Sequence, residues 1–537
     1  MRTFFSYGPV DCEEHFCVPR SEIIERCFMQ LIGNPEKGGH FFTIWSPRQC
    51  GKTWLMRQVK QAIEKRYGDK YLIGMMSMQG VILEDDQSEN ELLSWFPGLI
   101  RDALSIHPPA PPDWQSWIQF FHKTEGLFEK PLILFIDEFD SLPRKMIDRL
   151  VTLFRDMYLK RESYNLHGLA LIGVRAVLGV ESLRGSPFNI QRSLHVPNFT
   201  QEEVEDLFQQ YRSESGQTLD PEVVQAVCDV TRGQPGLVCW FGELLTEKYN
   251  PGAQKPIDMG VWKQVYGRAC FSEWNNTVLN LIKKVRSGYT EQAVELFAHS
   301  DIRFSIDADW CSFLYLNGVI DKEEAIDGKS GFVTYCRFAS PFIQLRLYHA
   351  LSADLIGERL PMLALDPLDT LSDVFEKPEL DIPALLSRYK AYLKRLKTKG
   401  IDPWKDQPRR SDMHYMEYVG HFHLYFWLRQ TIEDMCVISP EFPTGNGRVD
   451  LHIRCAGKKG IIEVKSFKNQ SKLEKAREQA VTYAKKLELP SITLAVFAPV
   501  EDDAILSQLS STATIDGVRL YVVAIGWVWW SRNDPAG

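Results

Sequence analysis

Residues 41–53 read FFTIWSPRQCGKT and decide the fold of the first part of the chain. An apolar run leads into a loop of small residues, which ends in Gly51-Lys52-Thr53. In such a loop, backbone N–H groups surround the β-phosphate of a nucleotide, the lysine reaches the β- and γ-phosphates, and the threonine hydroxyl binds Mg²⁺. The sequence therefore predicts a nucleotide site formed by Ser46, Pro47, Arg48, Gln49, Cys50, Gly51, Lys52 and Thr53.

The loop departs from the full pattern at one position. Ser46 stands where that pattern has glycine, and serine adopts positive φ less freely than glycine does. Because short motifs recur by chance, a Gly-Lys-Thr that only closes a turn is the alternative interpretation.

A second motif, PLILFIDEFDSL, occupies residues 131–142. Its five apolar residues predict a buried parallel strand, and ligands bind at the carboxyl ends of such strands in open α/β sheets. At that end Asp137 is expected to hold Mg²⁺ through water and Glu138 to polarise the attacking water. An ordinary acidic turn after a core strand is the alternative, but the two motifs in this order favour a nucleoside triphosphatase site.

The composition is that of a soluble globular protein, with 44% hydrophobic and 25% charged residues. A chain of 537 residues is long enough for three or four domains, each with its own core. No apolar stretch reaches the ~18 residues that span a bilayer, and the start lacks the features of a signal peptide, so no membrane partner is expected. Eleven cysteines without a CxxC pair predict a reduced, cytoplasmic chain.

The region around the loop alternates between strand and helix patterns. Strands before the loop and at residues 71–78, 132–136 and 168–173, with helices between them, predict a parallel sheet with right-handed crossovers. Arg20 precedes an amphipathic helix that is expected to cap the base side of the nucleotide. Arg175 follows the last of these strands, where it is positioned to sense the γ-phosphate; a surface arginine that closes a strand is the alternative.

Several of these motifs occur in the order found in one family. Arg20, SPRQCGKT, LILFIDEFD, LIGVR, FTQEEV and RGQPGLV together resemble the STAND-type branch of the AAA+ ATPases, in its AAA-like and archaeal-ATPase-like groups. The resemblance covers about the first 250 residues. It implies that Arg175 is a sensor and that the turn containing Pro235 contacts the nucleotide from a helical lid. Ser46 and Cys50 depart from the usual glycine-rich loop, which bears on the rate of hydrolysis more than on binding.

The segment after the lid resembles the winged-helix domain that follows it in this family. Residues 315–324 and 330–342 read YLNGVIDKEE and SGFVTYCRFASPF, which predict the end of a helix and two strands. A winged helix can bind DNA, but in these ATPases it more often packs against the nucleotide domain. The aromatic residues of this segment are interpreted as core side chains.

A basic connector follows at residues 352–410. Nine lysines and arginines lie between positions 388 and 410, although the whole chain has a formal net charge of −8. Such a local excess of positive charge is a candidate contact to the phosphate backbone of nucleic acid. A solvated helix face is the alternative interpretation for Lys390, Lys394 and Lys397, and Arg409 and Arg410 belong to the same candidate surface.

The last part of the chain carries a second set of chemical groups. Residues 449–453 (VDLHI) and 461–466 (IIEVKS) read as the two strands of a hairpin. Glu463 and Lys465 are two residues apart, so both project to one face, where Asp450 can meet them across the pair. Two carboxylates hold a divalent ion of the Mg²⁺ type, and a lysine orients water and stabilises the phosphate. A hairpin whose solvent face happens to carry these residues is the alternative.

With its flanking helices, this hairpin resembles the PD-(D/E)XK nuclease superfamily and its αβββαβ core. The resemblance covers residues 411–530 approximately and implies that Asp450 and Glu463 are metal ligands and that Lys465 is the catalytic lysine. Glu417 matches the carboxylate of the first helix and Gln479 the residue of the second helix, while Val449 replaces the usual proline. Lys468 and Lys472 are expected to flank the scissile strand.

These inferences predict an α/β multidomain chain. The predicted domains are a P-loop ATPase core at 1–195, a helical lid at 196–255, a winged helix at 256–351, the connector at 352–410 and a nuclease domain at 411–537. The expected function is an ATP-regulated nuclease that uses Mg²⁺ or Mn²⁺, cleaves DNA in preference to RNA and assembles as a homo-oligomer, with a trigger molecule or partner subunit. Such architectures resemble prokaryotic defence or mobile-element proteins.

Two alternatives stay open. One is a nucleotide-dependent DNA-binding or scaffold protein whose nuclease fold does not cleave. The other is a DNA repair or recombination enzyme that uses ATP hydrolysis to translocate.

Overall fold

The computed structural model describes most of the chain in two compact units. The first comprises Met1–Leu281, Ser305–Asp321 and Ala339–Ile343, and the second Ile282–Phe304, Lys322–Phe338 and Gln344–Gly537. Within them, the described residues are 2–84, 86–173, 193–250, 252, 254–298, 302–327, 331–356, 364–366, 370–401, 403–404, 417–432, 435–441, 450–455 and 457–527.

A five-stranded parallel sheet in the order β2-β3-β4-β1-β5 forms the centre of the first unit. Its strands are β1 (Phe41–Trp45), β2 (Leu72–Ser77), β3 (Leu132–Asp137), β4 (Leu166–Gly173) and β5 (Ser193–His195). Every residue of β4 is buried, and only the last residue of β1 and of β3 is partly exposed, because helices cover both faces. The predicted parallel α/β sheet is confirmed, and the three-residue β5 is an addition to it.

The helices around this sheet are amphipathic, and each buries its apolar side. They are α1 (Ser21–Ile32), α2 (Lys52–Tyr67), α3 (Phe96–Leu104), α4 (Trp114–Gln119) and α5 (Arg144–Leu159). On one face α1 and α2 pack with the apolar residues of β1, and on the other face α3, α4 and α5 surround a core rich in aromatic side chains. Packing on both faces fixes the phosphate loop between β1 and α2.

Three helices follow the parallel sheet where the sequence predicts a helical lid. They are α6 (Gln201–Ser215), α7 (Pro221–Thr231) and α8 (Pro235–Glu243), and α8 continues into a π-helical turn, Leu244–Lys248. Thr200 and Glu203 form a capping box at the start of α6: the Thr200 side chain accepts the Glu203 N–H at 3.2 Å, and the Glu203 side chain accepts the Thr200 N–H at 2.9 Å.

The chain between the lid and the C-terminal sheet is helical apart from one strand pair. Its elements are α9 (Met259–Phe271), α10 (Asn276–Arg286), α11 (Thr290–Ala298), α12 (Asp309–Asn317), β6 (Ile320–Asp327), β7 (Gly331–Phe338) and α13 (Pro341–Ile356). The strands β6 and β7 form a two-stranded sheet where the sequence predicts two strands. Assignment of this segment to a winged-helix domain stays a prediction.

A six-stranded mixed sheet in the order β12-β13-β11-β10-β9-β8 forms the centre of the second unit. Its elements are α14 (Ser372–Phe375), α15 (Ile382–Thr398), α16 (Glu417–Ile432), β8 (Val437–Glu441), β9 (Asp450–Cys455), β10 (Lys458–Ser466), α17 (Gln470–Lys486), β11 (Ser491–Ala498), α18 (Asp503–Leu509), β12 (Ser511–Ile515) and β13 (Val518–Gly526). Strands β8, β9 and β10 are antiparallel, whereas β11 is parallel to β10. From α16 to β11 the order is helix, three strands, helix, strand.

The two faces of this sheet carry different helices. On one face α17 packs on Ile461 and on apolar residues of β11 and β13. On the other face, a Cβ at Gly420 of α16 would lie 2.8 Å from Phe497, and one at Gly460 would lie 2.7 Å from Ile382 of α15. The helix α15, which the sequence places in a connector, therefore packs on the sheet with its apolar side buried.

Two disulfides contradict the expectation of a fully reduced chain. Cys12 pairs with Cys17, and Cys436 pairs with Cys455. The second pair follows from the register of β8 and β9, because Val437 lies opposite Arg454 and the neighbouring cysteines therefore face each other. Cysteine spacing alone does not reveal this register, and the seven free cysteines include Cys50 of the phosphate loop.

None of the helices in the described ranges has the length and apolar character needed to cross a bilayer.

Two buried histidines of α16 predict acid lability of the second unit. Nδ1 of His421 shares a hydrogen bond of 2.7 Å with the Tyr348 hydroxyl, and Nδ1 of His423 shares one of 2.6 Å with that of Tyr389. Burial lowers the pKa of both histidines to about 3, with the positive charge of Lys465 adding to the effect at His421. Both imidazoles are therefore neutral in the folded protein at physiological pH.

We expect the free energy of unfolding to fall as the pH is lowered from about 6.5 to about 3, because only the unfolded chain binds the two protons in that range. The expected loss approaches about 1.4 kcal/mol per pH unit for each histidine below pH 6.5, and it amounts to about 3 kcal/mol for the two between pH 6.5 and pH 5. Urea unfolding at the two pH values measures it. A His421→Asn/His423→Asn variant removes the two titrating groups and should flatten the dependence; an unchanged slope would contradict the assignment.

Candidate functional site

The phosphate loop is compact, and its lysine is turned into it. Lys52 is 9% exposed, and its Nζ donates hydrogen bonds to the carbonyl oxygens of Ser46 and Pro47 at 2.9 and 2.8 Å. Gln49 and Gly51 have φ angles of 59° and 84°, which curl the backbone at the start of α2. Burial lowers the pKa of Lys52. A buried cation beside a helix N-terminus suits a phosphate ligand.

The acidic end of β3 lies beside this loop. The Thr53 hydroxyl donates to Oδ2 of Asp137 at 2.9 Å, so the two predicted Mg²⁺ ligands of the first unit are adjacent. Glu138 follows in a left-handed conformation with φ 53°. Burial, Asp137 and Asp140 raise the pKa of Glu138, in that order of importance. A hydroxyl next to a carboxylate is a ligand pair that suits Mg²⁺, and a carboxylate with a raised pKa suits a general base.

The lid turn that contains Pro235 contacts the phosphate loop itself. The backbone N–H of Gly236 donates to the Gln49 carbonyl at 3.0 Å, and the Gln234 side chain donates to the Arg48 carbonyl at 3.1 Å. A Cβ at position 236 would lie 2.6 Å from that of Gln49, so glycine is what permits this approach. The turn before α8 therefore contacts the phosphate loop directly, at Arg48 and Gln49.

Two further segments of the first unit contact the outer side of the loop. The Thr277 hydroxyl at the start of α10 donates to Oε1 of Gln49. Gly318, after α12, approaches Pro47 so closely that a Cβ there would lie 2.7 Å from the proline side chain. Thr277 and Gly318 are thus more than 200 positions along the chain from the loop residues that they contact.

Of the two arginines predicted to act at the nucleotide site, the structure describes Arg20 but not Arg175. Arg20 has a side chain that is 7% exposed and forms an ion pair of 3.3 Å with Glu203 of the lid helix α6, while donating to the Pro197 carbonyl at 2.9 Å. It therefore joins the start of α1 to the lid. Arg175 lies outside the described residues.

The second predicted site contains a buried ion pair. Nζ of Lys465 lies 3.2 Å from Oε1 of Glu463, and the two side chains are 9% and 4% exposed. The register of β9 and β10 sets Asp450 directly opposite Glu463. The side chains of Asp450 and Glu417 lie outside the described residues. Carboxylates on neighbouring strands, with a lysine two residues along, have the donor set for a divalent cation of the Mg²⁺ type.

The other predicted residues of this unit lie on or next to α17. Gln479 and Lys472 are exposed on that helix, and Lys468 is half-buried before it. Among the side chains that the structure describes, no group of three or more His, Cys, Asp or Glu residues is placed to hold a metal ion. Of the two metal ligands predicted in this unit, the structure describes the side chain of Glu463 and only the backbone of Asp450.

The lysines of the basic connector are less available to nucleic acid than the positive charge of this segment implies. Lys394 forms an ion pair of 2.7 Å with Asp503, and Lys397 forms one of 2.6 Å with Glu501. Burial lowers the pKa of Lys390. Arg409 and Arg410 lie outside the described residues. Of the three α15 lysines predicted to contact nucleic acid, two are thus already paired with acidic side chains of the same unit.

Comparison with known proteins concerns the first part of the chain. The model of the AAA-like domain family matches residues 5–249. This segment has a P-loop ATPase-like α/β fold. No curated protein matches the chain.

Solved structures resemble the chain at low sequence identity. A Walker-type ATPase of Pyrococcus abyssi is 14% identical, with a TM-score of 0.44, over 64% of this chain and 99% of that one. The ORC1 protein of Aeropyrum pernix, solved in complex with DNA, is 14% identical with a TM-score of 0.33, over 63% and 93%. The RuvB Holliday junction branch migration motor of Thermotoga maritima is 13% identical with a TM-score of 0.33, over 59% and 92%.

Some residues around the predicted nucleotide site belong to none of the sequence motifs that predict it. Asp140 helps to raise the pKa of Glu138, and Thr277 and Gly318 contact the loop from distant segments. Asp140 was visible as the third carboxylate of the DEFD run. The contacts of Thr277 and Gly318 leave no local pattern, because only the folded chain brings them to Gln49 and Pro47.

Proposed function

We propose that this chain is an ATP-binding and ATP-hydrolysing protein that regulates a metal-dependent nuclease in its second unit. The main support is the presence of two sets of phosphate-handling groups in one chain. One is the phosphate loop with Lys52, Thr53 and Asp137, and the other is the Glu463–Lys465 pair opposite Asp450. Supporting it further, the element order from α16 to β11 is that of the αβββαβ nuclease core.

The first unit offers each role that triphosphate hydrolysis needs. Lys52 would exchange its bonds to the loop carbonyls for bonds to the phosphates, and Thr53 and Asp137 would hold Mg²⁺, which neutralises phosphate charge when bound. Glu138 would take a proton from water, and its raised pKa brings it closer to neutral pH, where a general base works best.

The second unit offers the groups of a phosphodiesterase. Asp450 and Glu463 would hold the divalent cation, which polarises the phosphodiester when bound. Lys465 would orient the attacking water and stabilise negative charge on the phosphate. Glu417 and Gln479 would position the metal ligands and the substrate. DNA is the favoured substrate, and the wider setting of defence or mobile-element biology rests on the family resemblance alone.

Regulation would pass through the loop contacts of the first unit. Gln49 is held at once by Gly236 of the lid and by Thr277 of α10, and Pro47 contacts Gly318. A phosphate would accept hydrogen bonds from the backbone N–H groups of the loop, and a change of loop conformation that brings these groups to it would alter the contacts made by the loop carbonyls. The chain would therefore exist in nucleotide-dependent states, which oligomerisation or a trigger molecule would select.

A second candidate is a nucleotide-dependent DNA-binding protein that does not cleave. One observation favours it: Glu463 and Lys465 neutralise each other, and both side chains are almost inaccessible to solvent. In that case the second unit would bind DNA only, and ATP would control that binding.

Cleavage assays distinguish the two candidates. Plasmid, linear and single-stranded DNA and RNA would be incubated with the full chain in Mg²⁺ or Mn²⁺, with no nucleotide, with ATP or with a non-hydrolysable analogue. Cleavage that depends on the metal and changes with nucleotide is the expected result. Nucleotide-dependent binding of DNA without any cleavage would contradict the nuclease and favour the second candidate.

A further inference from the structure

A pocket in the second unit belongs to neither predicted site. It has a volume of about 100 Å³ and lies between the β9–β10 hairpin and the end of α17. Its lining combines three basic side chains with apolar ones: His452, Arg454, Lys459, Ile461, Leu487 and Leu489. We call it the hairpin pocket. It is open to solvent through Arg454 and Lys459, which are both exposed.

The hairpin pocket lies on the same face of the sheet as the predicted metal site. The opposed pairs along the hairpin are Asp450 with Glu463, His452 with Ile461, and Arg454 with Lys459. These pairs are two residues apart along each strand, so they lie on one face of the sheet, and a strand rises about 3.3 Å per residue. The Arg454–Lys459 pair is therefore about 13 Å from the Asp450–Glu463 pair.

One side of α17 borders this row of pairs. The Tyr483 hydroxyl lies 3.4 Å from Nε2 of His452, which fixes the side of the helix that faces β9. Helical spacing sets Lys472, Gln479 and Lys486 on the same side as Tyr483, and all three are exposed. On the opposite side, Arg477 donates to Ser511 of β12. Cations of the hairpin and of α17 therefore border one groove.

The charges of this groove are available to a ligand. Within the part of the chain that the structure describes, Arg454 and Lys459 make no ion pair, in contrast to Lys394 and Lys397. An unpaired arginine and lysine on opposed strands match the charge of a phosphate, and the arginine fork can hold two of its oxygens. Leu487 and Leu489 offer apolar surface to the adjacent sugar.

We propose that the hairpin pocket binds a backbone phosphate of the nucleic-acid strand that the second unit acts on. This inference rests on the proposed function. Phosphates of one strand are about 3.4 Å apart along a duplex axis, so about 13 Å corresponds to roughly four phosphates, and to fewer in an extended strand. Arg454 and Lys459 thus fix the register of the substrate in the groove and are binding residues, not catalytic ones.

The test compares two double variants of the full chain. Arg454→Ala/Lys459→Ala removes the pocket cations. The control, Lys485→Ala/Arg519→Ala, removes two cations of the same unit that pair with Asp516 and Glu379 at 2.8 and 2.7 Å. Fluorescence anisotropy with labelled duplex and single-stranded DNA, in EDTA to prevent cleavage, gives the affinity over a range of salt concentrations.

We expect the pocket variant to bind DNA on the order of 50-fold more weakly at 0.1 M salt, with a log–log salt slope smaller by about 2, because two phosphate contacts are lost. The control should bind as the wild type does. Wild-type binding that is unchanged in the pocket variant would overturn the inference. So would equal binding of poly-glutamate through the same two side chains, which would identify an acidic-peptide site.

The outcomes separate this inference from the proposed function. DNA binding that depends on Arg454 and Lys459 in a chain that never cleaves would support the pocket and refute the nuclease. Cleavage with an unchanged KM in the pocket variant would support the nuclease and refute the pocket. A wild-type chain that binds no nucleic acid in any nucleotide state would refute both.

Discussion

Replacement of Lys52 by alanine is expected to abolish ATP hydrolysis, with a loss on the order of 100-fold or more. The ammonium group is the buried cation of the phosphate loop, and it is held at 2.8–2.9 Å from loop carbonyls that a phosphate would displace. Without it, the negative charge that develops on the phosphates in the transition state loses its nearest positive partner. Steady-state release of phosphate measures the effect.

Lys60→Ala is the matched control for this variant. Lys60 lies on the same helix, α2, but its side chain is 36% exposed and forms only a loose ion pair of 3.8 Å with Glu64. Its removal should change hydrolysis by less than 2-fold, since exposed pairs contribute little. Hydrolysis in Lys52→Ala within a few-fold of the wild type would contradict the nucleotide site.

The same variant tests regulation. If the first unit controls the second, Lys52→Ala should remove the difference in DNA cleavage between ATP and no nucleotide, without touching a residue of the second unit. Cleavage that keeps its full response to ATP in this variant would sink the regulatory part of the proposal. Cleavage that equals that of the wild type under all nucleotide conditions would likewise contradict regulation of the second unit by the first.

The sequence sufficed for those parts of the fold that are encoded locally. The order of apolar runs and the loop at Lys52 predicted the parallel sheet, and period-two alternation placed Glu463 and Lys465 on one face of β10. The capping box of Thr200 and Glu203 is also encoded locally, because the residues that form it lie within one helical turn.

What the sequence did not reveal depends on contacts between distant segments. The approach of Thr277 to Gln49, the Cys436–Cys455 disulfide and the packing of α15 on the sheet all need the register of elements far apart in the chain. The burial of Glu463 and Lys465 belongs to the same class. Alternation predicts a shared face, but it does not say whether that face is covered.

The burial of Glu463 and Lys465 determines how the proposed nuclease site must be tested. Lys465→Ala would leave the Glu463 carboxylate, 4% exposed, without its cation, and breaking a buried pair on one side costs about 3–5 kcal/mol. A loss of cleavage in that variant could therefore arise from the missing catalytic lysine or from unfolding of the protein, and the assay would not separate the two causes. The double variant Glu463→Gln/Lys465→Met removes both charges and nearly preserves both shapes.

We expect Glu463→Gln/Lys465→Met to fold with a thermal midpoint near or above that of the wild type, since neutral replacement of a buried pair is often neutral or stabilising. Cleavage should fall at least about 10³-fold, because the metal ligand and the cation that stabilises the phosphate are both lost. The matched control is Lys485→Met/Asp516→Asn, which neutralises an exposed pair of 2.8 Å in the same unit and should keep full cleavage.

The same double variant also separates the two candidate functions. A folded variant that binds DNA with wild-type affinity but has lost cleavage would assign chemistry, not binding, to Glu463 and Lys465. A folded variant that still cleaves would show that these residues form only a structural pair. The active site of any nuclease activity would then have to be sought elsewhere, because no other described strand pair sets a carboxylate opposite a buried carboxylate–lysine pair.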